Sequence, residues 1–226
     1  MNDNEDFSRE KAMKQYLILV HEIGMRIDLV IKACNGALNL TPPFAREYAY
    51  LQFRRICELI ALGCLLLHGD LPKAQTEKAK REWNAEKIMK LLRANHPHAF
   101  PQSVSMSREG NGWCIKGNCK PNALTWEEFE KLYAECGEVL HRGSIRSLEL
   151  SSQFDEATYK RVVDWQRKLV DLLNEHLIAT ANGRQCYYIS LRTADGSPQC
   201  QFLTFTGSGE LHVVSRKLNI NGSSSS

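Results

Sequence analysis

The chain has 226 residues, of which 43% are hydrophobic, 24% charged and 8% aromatic, and its formal net charge is +3 at pH 7. These values are ordinary for a globular protein and exclude disordered, collagen-like and low-complexity classes for all but the ends of the chain. The length favours one large domain, or one domain with an appendage.

The apolar runs, the N-terminal residues and the positions of the cysteines predict a reduced, cytoplasmic protein without membrane association. The longest uninterrupted apolar run covers nine residues, 59–67, about half of the roughly 18–20 that span a bilayer. The first seven residues include three acidic and no basic side chains, whereas a signal peptide begins basic and then turns apolar. Eight cysteines would allow four disulfides, but several lie in helical apolar patterns, where free cysteine behaves as a small hydrophobe; these are Cys34, Cys57, Cys64 and Cys136.

Two long helices are predicted first. Ser8 can cap a helix over 8–40, whose apolar residues recur every seven positions in a stripe wide enough for a core helix of a bundle. Apolar residues outside the stripe, namely Ile18, Leu19, Met25 and Leu29, leave a dimerising helix open. Pro42 and Pro43 then start a second helix over 43–68, with Gly69 as a left-handed C-terminal cap.

The middle of the chain predicts shorter elements. A lysine-rich helix is expected over 73–94, with a break near Asn84, followed by a β-hairpin over 103–117 that turns at Gly110. Thr125 and Glu128 form a capping box that starts a helix over 126–141. A last helix is expected over 155–179.

Beyond residue 183 the apolar pattern changes from a helical period to strand alternation. Three short strands, over 186–193, 200–206 and 211–216, predict an antiparallel meander. The fold class is therefore α+β: a mainly helical body of about five helices, a short β-hairpin insertion and a small C-terminal meander. We expect a helical domain over 1–183, the meander packed on it over 184–220, and a disordered tail over 221–226.

An Arg–Glu group interrupts an apolar stripe of the second helix. Arg55 and Glu58 lie on this stripe, and Arg54 stands four residues before Glu58. Buried charges must be paired, since each otherwise costs several kcal/mol. The group is interpreted as an internal ion pair that fixes helix register, as charges that face an acid–base or anion-binding cleft, or as exposed side chains. The helix is apolar all round in its second half, so neither Arg55 nor Glu58 is expected to reach water easily.

Two histidines end helices in similar contexts. His68 and His141 can each complement a helix C-terminus. Each also extends a row of small residues, so the two helices could cross there and bring the histidines together. Paired histidines, with Arg142 to bind an anion, are the groups that metal-independent phosphodiester cleavage needs.

A zinc site is a weaker alternative. Its ligands would be His96, His98, Cys114 and Cys119, a nitrogen and sulfur set of the kind that structural zinc prefers. The spacing is looser than that of typical zinc motifs, so these residues are expected to be ordinary loop residues, and no cofactor is predicted.

Charge is distributed unevenly along the chain. Residues 71–120 carry ten Lys and Arg against four Glu, a net charge of +6, and residues 122–156 carry three basic against eight acidic side chains, a net charge of −5. Such surfaces suit a partner protein or self-association.

The leading hypothesis is thus an intracellular interaction or regulatory protein without catalysis. A metal-independent hydrolase or ribonuclease-like enzyme that uses His68, His141, Arg142 and the Arg54, Arg55 and Glu58 group comes second. A nucleic-acid-binding protein comes third, through the basic region between Lys73 and Lys120, where binding would depend steeply on salt.

Overall fold

A computed structural model describes residues 3–109, 112–117, 120–141, 156–205 and 211–217. These residues form an α+β fold, as predicted, with six helices and one antiparallel sheet of six strands. The helices are α1 (Asp3–Cys34), α2 (Pro42–Leu67), α3 (Glu77–Lys80), α4 (Ala85–Arg93), α5 (Trp126–Leu140) and α6 (Glu156–Leu173). The strands are β1 (Gln102–Glu109), β2 (Gly112–Gly117), β3 (Glu175–Ala179), β4 (Gln185–Ser190), β5 (Gln199–Phe205) and β6 (Leu211–Lys217). None of the described helices has the length and apolar character needed to cross a bilayer.

Helices α1 and α2 form an antiparallel pair around which the core is built. The seven-residue apolar stripe of α1 is buried from Met13 to Val30, as predicted. The helix starts at Asp3 rather than at a Ser8 cap, and it ends at Cys34 rather than near 40. It stops early because Gly36 turns the chain in the left-handed region, with φ of 79°.

Helices α1 and α2 approach each other closely at Gly63. A Cβ atom on this residue would lie 2.4 Å from Cε2 of Tyr16, so the ring of Tyr16 occupies the space that a side chain would need. At its start α2 carries proline in the first turn, as predicted. The predicted left-handed cap at Gly69 is wrong: the backbone N–H of His68 closes the helix by donating to the carbonyl of Cys64.

The capping signals of the middle segment are confirmed. The predicted break near Asn84 separates α3 from α4, and the side chain of Asn84 accepts a hydrogen bond from the N–H of Lys87. Thr125 and Glu128 form both hydrogen bonds of the capping box at the start of α5. Helices α4 and α5 both pack against α2.

The expected helix over 155–179 is wrong in its last part. Helix α6 ends at Leu173, and Glu175–Ala179 form strand β3. The alternation of β3 places His176 and Ile178 inside the protein. The backbone of β3 pairs with β1 on one side and β4 on the other, and these distant partners decide the strand conformation.

The predicted hairpin and meander are parts of a single sheet. Its strand order is β2-β1-β3-β4-β5-β6, with every pair antiparallel. The hairpin pairs Val104 with Gly117, and its predicted turn at Gly110 lies outside the described residues, as does the tail over 221–226. The boundary expected at residue 183 falls between the paired strands β3 and β4.

The two faces of the sheet bury different cysteines. Tyr187, Ile189 and Cys200 belong to the main core with the helices, whereas Cys186 belongs to a smaller cluster with Val104, Tyr188 and Leu203. Cys186 pairs with Leu203, and Cys200 with Ile189, so the two cysteines do not oppose one another. All seven described cysteines are free thiols.

Candidate functional site

The predicted Arg–Glu group forms, but one of its members is exposed. Glu58 accepts from Arg54 Nε at 3.3 Å and from Arg55 Nη1 at 2.8 Å. The side chain of Glu58 is 12% exposed, whereas that of Arg55 is 57% exposed. The expectation that Arg55 cannot easily reach water is therefore wrong, and the pair is only half-buried. Arg54, at 26% exposure, lies over the ring of Tyr133 at 5.3 Å.

His68 and His141 end their helices at opposite ends of the α2–α5 pair. Arg93, the last residue of α4, lies over the ring of Trp126, the first residue of α5. Three residues after Arg93, the ring of His96 packs 5.3 Å from that of His68. The start of α5 is thus at the His68 end, and His141 follows 15 helical residues later, about 22 Å along the axis.

The remaining members of the enzyme and zinc hypotheses do not complete a site within the described residues. His141 is exposed, and Arg142 and Cys119 lie outside the described residues. His96 and His98 have ring centres 6.0 Å apart, and Cys114 lies on β2 opposite Ser107. Within the described ranges, no group of three or more His, Cys, Asp or Glu side chains is arranged to hold a metal ion.

His68 is fully buried. A carbonyl oxygen can only accept, so Nδ1 carries the proton that is donated to the oxygen of Cys64 at 2.6 Å. The other ring nitrogen, Nε2, has no hydrogen-bond partner. Burial, with a smaller effect of nearby His96, lowers the pKa of His68 below its ordinary value. This histidine is a neutral core residue at neutral pH.

A second charged cluster joins three helices. Glu135 on α5 pairs with Arg161 on α6 at 2.6 Å and accepts from Trp165 Nε1 at 3.3 Å, and it also accepts from the hydroxyl of Tyr50 on α2. Burial, with a smaller effect of Glu135, raises the pKa of the Tyr50 hydroxyl. Both carboxylate oxygens already accept hydrogen bonds, so this cluster ties the helices together and offers a ligand little unused bonding capacity.

A large groove among the described residues was predicted by neither motif nor charge. It has a volume of about 1040 Å³ and lies between the first half of α1, the end of α2 with the turn that follows, and the β3–β4 hairpin. The residues that give it chemical character are Arg9, Lys11, Gln15, Ile18, Leu19, Leu62, Leu66, Asp70, Gln75, Lys80, Asn182, Gln185, Tyr187 and Phe202. We call this cavity the α1 groove.

The α1 groove combines an apolar bottom with a basic rim. The guanidinium of Arg9 lies 4.2 Å from the ring centre of Phe202, which is a cation–π arrangement. Lys11 adds a second positive charge, and Lys80, which pairs with Glu77 at 3.7 Å, adds a third. The single carboxylate of the lining, Asp70, accepts the backbone N–H of Ala181 at 2.9 Å. The lining thus favours a ligand with an apolar surface and a negative charge.

One sequence signal does lead to the groove. Ile18 and Leu19 lie outside the core stripe of α1, and both line the cavity, with Ile18 57% exposed. The other lining residues come from the first half of α1, from residues 62–80 and from residues 180–202, so only the fold brings these three segments together.

The comparisons with known proteins yield no relative. The chain matches no protein-family model, no curated protein and no solved structure. The function proposed below therefore rests on the geometry of the chain alone.

Proposed function

We propose that this chain is an interaction protein that binds an acidic, amphipathic segment of a partner protein in the α1 groove. The observation that carries the proposal is the basic rim over an apolar bottom. An amphipathic helix that lays its apolar face into such a groove is a common mode of peptide recognition. The acidic face of the segment would then meet the cations of the rim.

The charges of the groove favour an anionic partner. Lys11 is exposed on α1, and the side chain of Lys80 is 51% exposed across the groove. The carboxylate of Asp70 offsets these charges little, because it already accepts a hydrogen bond from the backbone N–H of Ala181. Complementary charge at a rim speeds association and selects among partners more than it adds affinity.

The apolar side chains supply the binding free energy in this proposal. Ile18 is more than half exposed, and Leu19, Leu62 and Leu66 are partly buried beside it. Covering such a surface favours association, and the part of this gain that exceeds the entropic cost of binding appears as affinity. The anchors of the partner would occupy the space between α1 and the β3–β4 hairpin.

The enzyme alternative has less support. It needs His68 and His141 in one cleft, and these residues end α2 and α5 at opposite ends of the pair. We propose further that the protein acts in the cytoplasm, a reducing compartment, because its described cysteines are free thiols and most are buried among apolar residues.

A pair of designed peptides tests the proposal. The probe is a fluorescein-labelled helical peptide of about 14 residues with leucines at i, i+3, i+4 and i+7 and glutamates on its other face. Its control carries lysines in place of the glutamates. Fluorescence anisotropy should show tighter binding of the acidic peptide, and equal binding of both peptides would contradict the proposed charge preference.

Matched variants locate the binding. Ile18→Glu should weaken binding of the acidic peptide at least about 10-fold, whereas Met25→Glu, at a position 49% exposed on the same helix but outside the groove, should leave it unchanged. Lys11→Glu should weaken it and Lys14→Glu should not, because Lys14 does not line the groove. Equal effects within either pair would place the peptide elsewhere and overturn the proposal.

A further inference from the structure

An exposed tryptophan stands in the basic region of the chain. Trp83 lies in the connection between α3 and α4, and 64% of it is exposed. Over residues 52–108, all of them described, it is the one large apolar side chain that is exposed. An indole in this position does not contribute to the packing of the core, so its aromatic face is available to a ligand.

The connection that carries Trp83 is held by hydrogen bonds. Glu82 Oε1 accepts the backbone N–H groups of Trp83 at 3.1 Å and of Asn84 at 3.0 Å. The side chain of Asn84 in turn caps α4 through the N–H of Lys87 at 3.0 Å. The backbone that presents the indole is therefore ordered before any ligand arrives, which reduces the entropic cost of binding.

The charges around Trp83 are arranged so that positive charge remains available. Glu82 is used by the backbone, Glu77 pairs with Lys80 at 3.7 Å, and Glu86 pairs with Lys90 at 2.5 Å. No described carboxylate forms an ion pair with the three remaining cations nearby, which are Lys78, Arg81 and Lys87. These cations flank the indole in sequence on both sides.

We propose that Trp83 is a stacking site for a base of single-stranded nucleic acid, with Lys78, Arg81 and Lys87 against the neighbouring phosphates. Proteins that bind single strands usually combine a basic surface with aromatic side chains on which the bases stack. The cations supply the sequence-independent, salt-dependent part of the affinity. A lipid surface fits less well, because stable membrane binding needs a broad apolar face and Trp83 stands alone.

Anisotropy of a fluorescein-labelled oligothymidylate tests the site. With a strand of about 12 nucleotides, Trp83→Ala should weaken binding by about 5- to 150-fold, and Trp83→Phe should retain most of it. Phe44→Ala is the matched control, since Phe44 is an exposed aromatic residue, 56% exposed, at the start of α2. Circular dichroism of each variant shows whether the fold is retained, which is expected for such exposed positions.

Salt dependence separates the phosphate contacts from the stacking. Arg81→Gln and Lys87→Gln should each lower the slope of log affinity against log salt, by about 0.7 per lost phosphate contact on a single strand. Lys90→Gln, at an ion-paired lysine, should change the slope less. The groove variants Ile18→Glu and Lys11→Glu should leave oligothymidylate binding intact, so this site and the α1 groove are tested separately.

Three outcomes would overturn the proposal. They are wild-type affinity in Trp83→Ala, a slope that does not change in Arg81→Gln or Lys87→Gln, and binding to phosphatidylserine vesicles without binding to the oligothymidylate. The last outcome would assign the surface to a membrane instead.

Discussion

The hydroxyl of Tyr16 and Nε2 of His176 lie 2.8 Å apart in the core, although the two residues are 160 positions apart in sequence. His176 Nδ1 faces the carbonyl of Leu173 at 3.0 Å and must donate to it. Nε2 therefore has no proton and accepts from Tyr16. This hydrogen bond joins α1 to β3, and burial raises the pKa of the Tyr16 hydroxyl, which keeps it protonated as the donor.

Removing this donor should destabilise the protein. Tyr16→Phe leaves His176 Nε2 buried without a partner, which should lower the free energy of unfolding by about 1–3 kcal/mol. Tyr159→Phe is the control, because the hydroxyl of Tyr159 donates to the carbonyl of Cys34 at 2.8 Å on a residue 42% exposed. Tyr159→Phe should lower the free energy of unfolding by about 0.5 kcal/mol. Urea unfolding measures both, and equal costs would contradict the role assigned to the buried bond.

Acid should weaken the fold through the buried histidines. Burial lowers the pKa of His176 to about 4 and also lowers that of His68, against about 6.5 in the unfolded chain. Below pH 6.5 the unfolded state therefore binds protons that the folded state does not. Stability from His176 is fully present above pH 6.5 and is lost as the pH falls to about 4, by roughly 3 kcal/mol.

The variant His176→Gln isolates this effect. It removes one titrating group, so the difference in unfolding free energy between pH 7 and pH 4.5 should be smaller than in the wild type. The comparison uses the change with pH, because the variant will also have a different stability at neutral pH. An unchanged pH dependence would mean that His176 does not titrate in this range.

Gly63 and Gly137 should respond oppositely to alanine. A Cβ at Gly63 would overlap Cε2 of Tyr16, whereas nothing lies within 4 Å of a Cβ at Gly137 in α5. Gly63→Ala should cost about 1–3 kcal/mol by overpacking, and Gly137→Ala should stabilise by about 0.5–1 kcal/mol through helix propensity. Thermal unfolding distinguishes them. A tolerated Gly63→Ala would show that Tyr16 can move aside.

The Arg–Glu group should be more tolerant than its sequence context suggests. A buried pair would cost about 3–5 kcal/mol on losing one partner, but the side chain of Arg55 is 57% exposed. Arg55→Met should therefore change the free energy of unfolding by no more than about 1 kcal/mol. Glu58→Leu should cost little more, since Arg54 retains Tyr133 as a neighbour. Urea midpoints of both variants check this, and a large loss in Arg55→Met would restore the buried-pair interpretation.

Glu135 should be the most sensitive acidic residue of α5. Glu135→Ala removes the acceptor of fully buried Tyr50 and the partner of Arg161, with an expected cost of about 2–4 kcal/mol. Glu138→Ala, three residues later on an exposed position, should be near neutral. Denaturant unfolding of the two variants measures the difference, and similar stabilities would mean that the cluster does not hold the helices together.

The sequence predicts what is decided locally. The box of Thr125 and Glu128 fixes the start of α5 through two hydrogen bonds between residues three positions apart, and the proline pair at Pro42 fixes the start of α2. The helix prediction fails after Leu173 because Leu177 continues the helical spacing. The strand pairings with β1 and β4 that determine β3 come from distant segments.

The sites follow the same rule. The contact between Glu58 and its arginines is local and forms as the spacing indicates. The α1 groove needs Lys11, Lys80 and Gln185 to meet through the tertiary fold, and no local pattern contains that information. The exposure of Trp83 also depends on what the rest of the chain leaves uncovered.

The pairing of β3 with β4 limits how this chain can be divided. The turn between them, at residues 181–184, is exposed, but the strands on either side exchange backbone hydrogen bonds along their length. A recombinant fragment ending there would present an unpaired strand edge and would tend to aggregate. Two co-expressed halves, however, could recognise one another through that edge, which makes this turn a natural place to build a split-protein reporter.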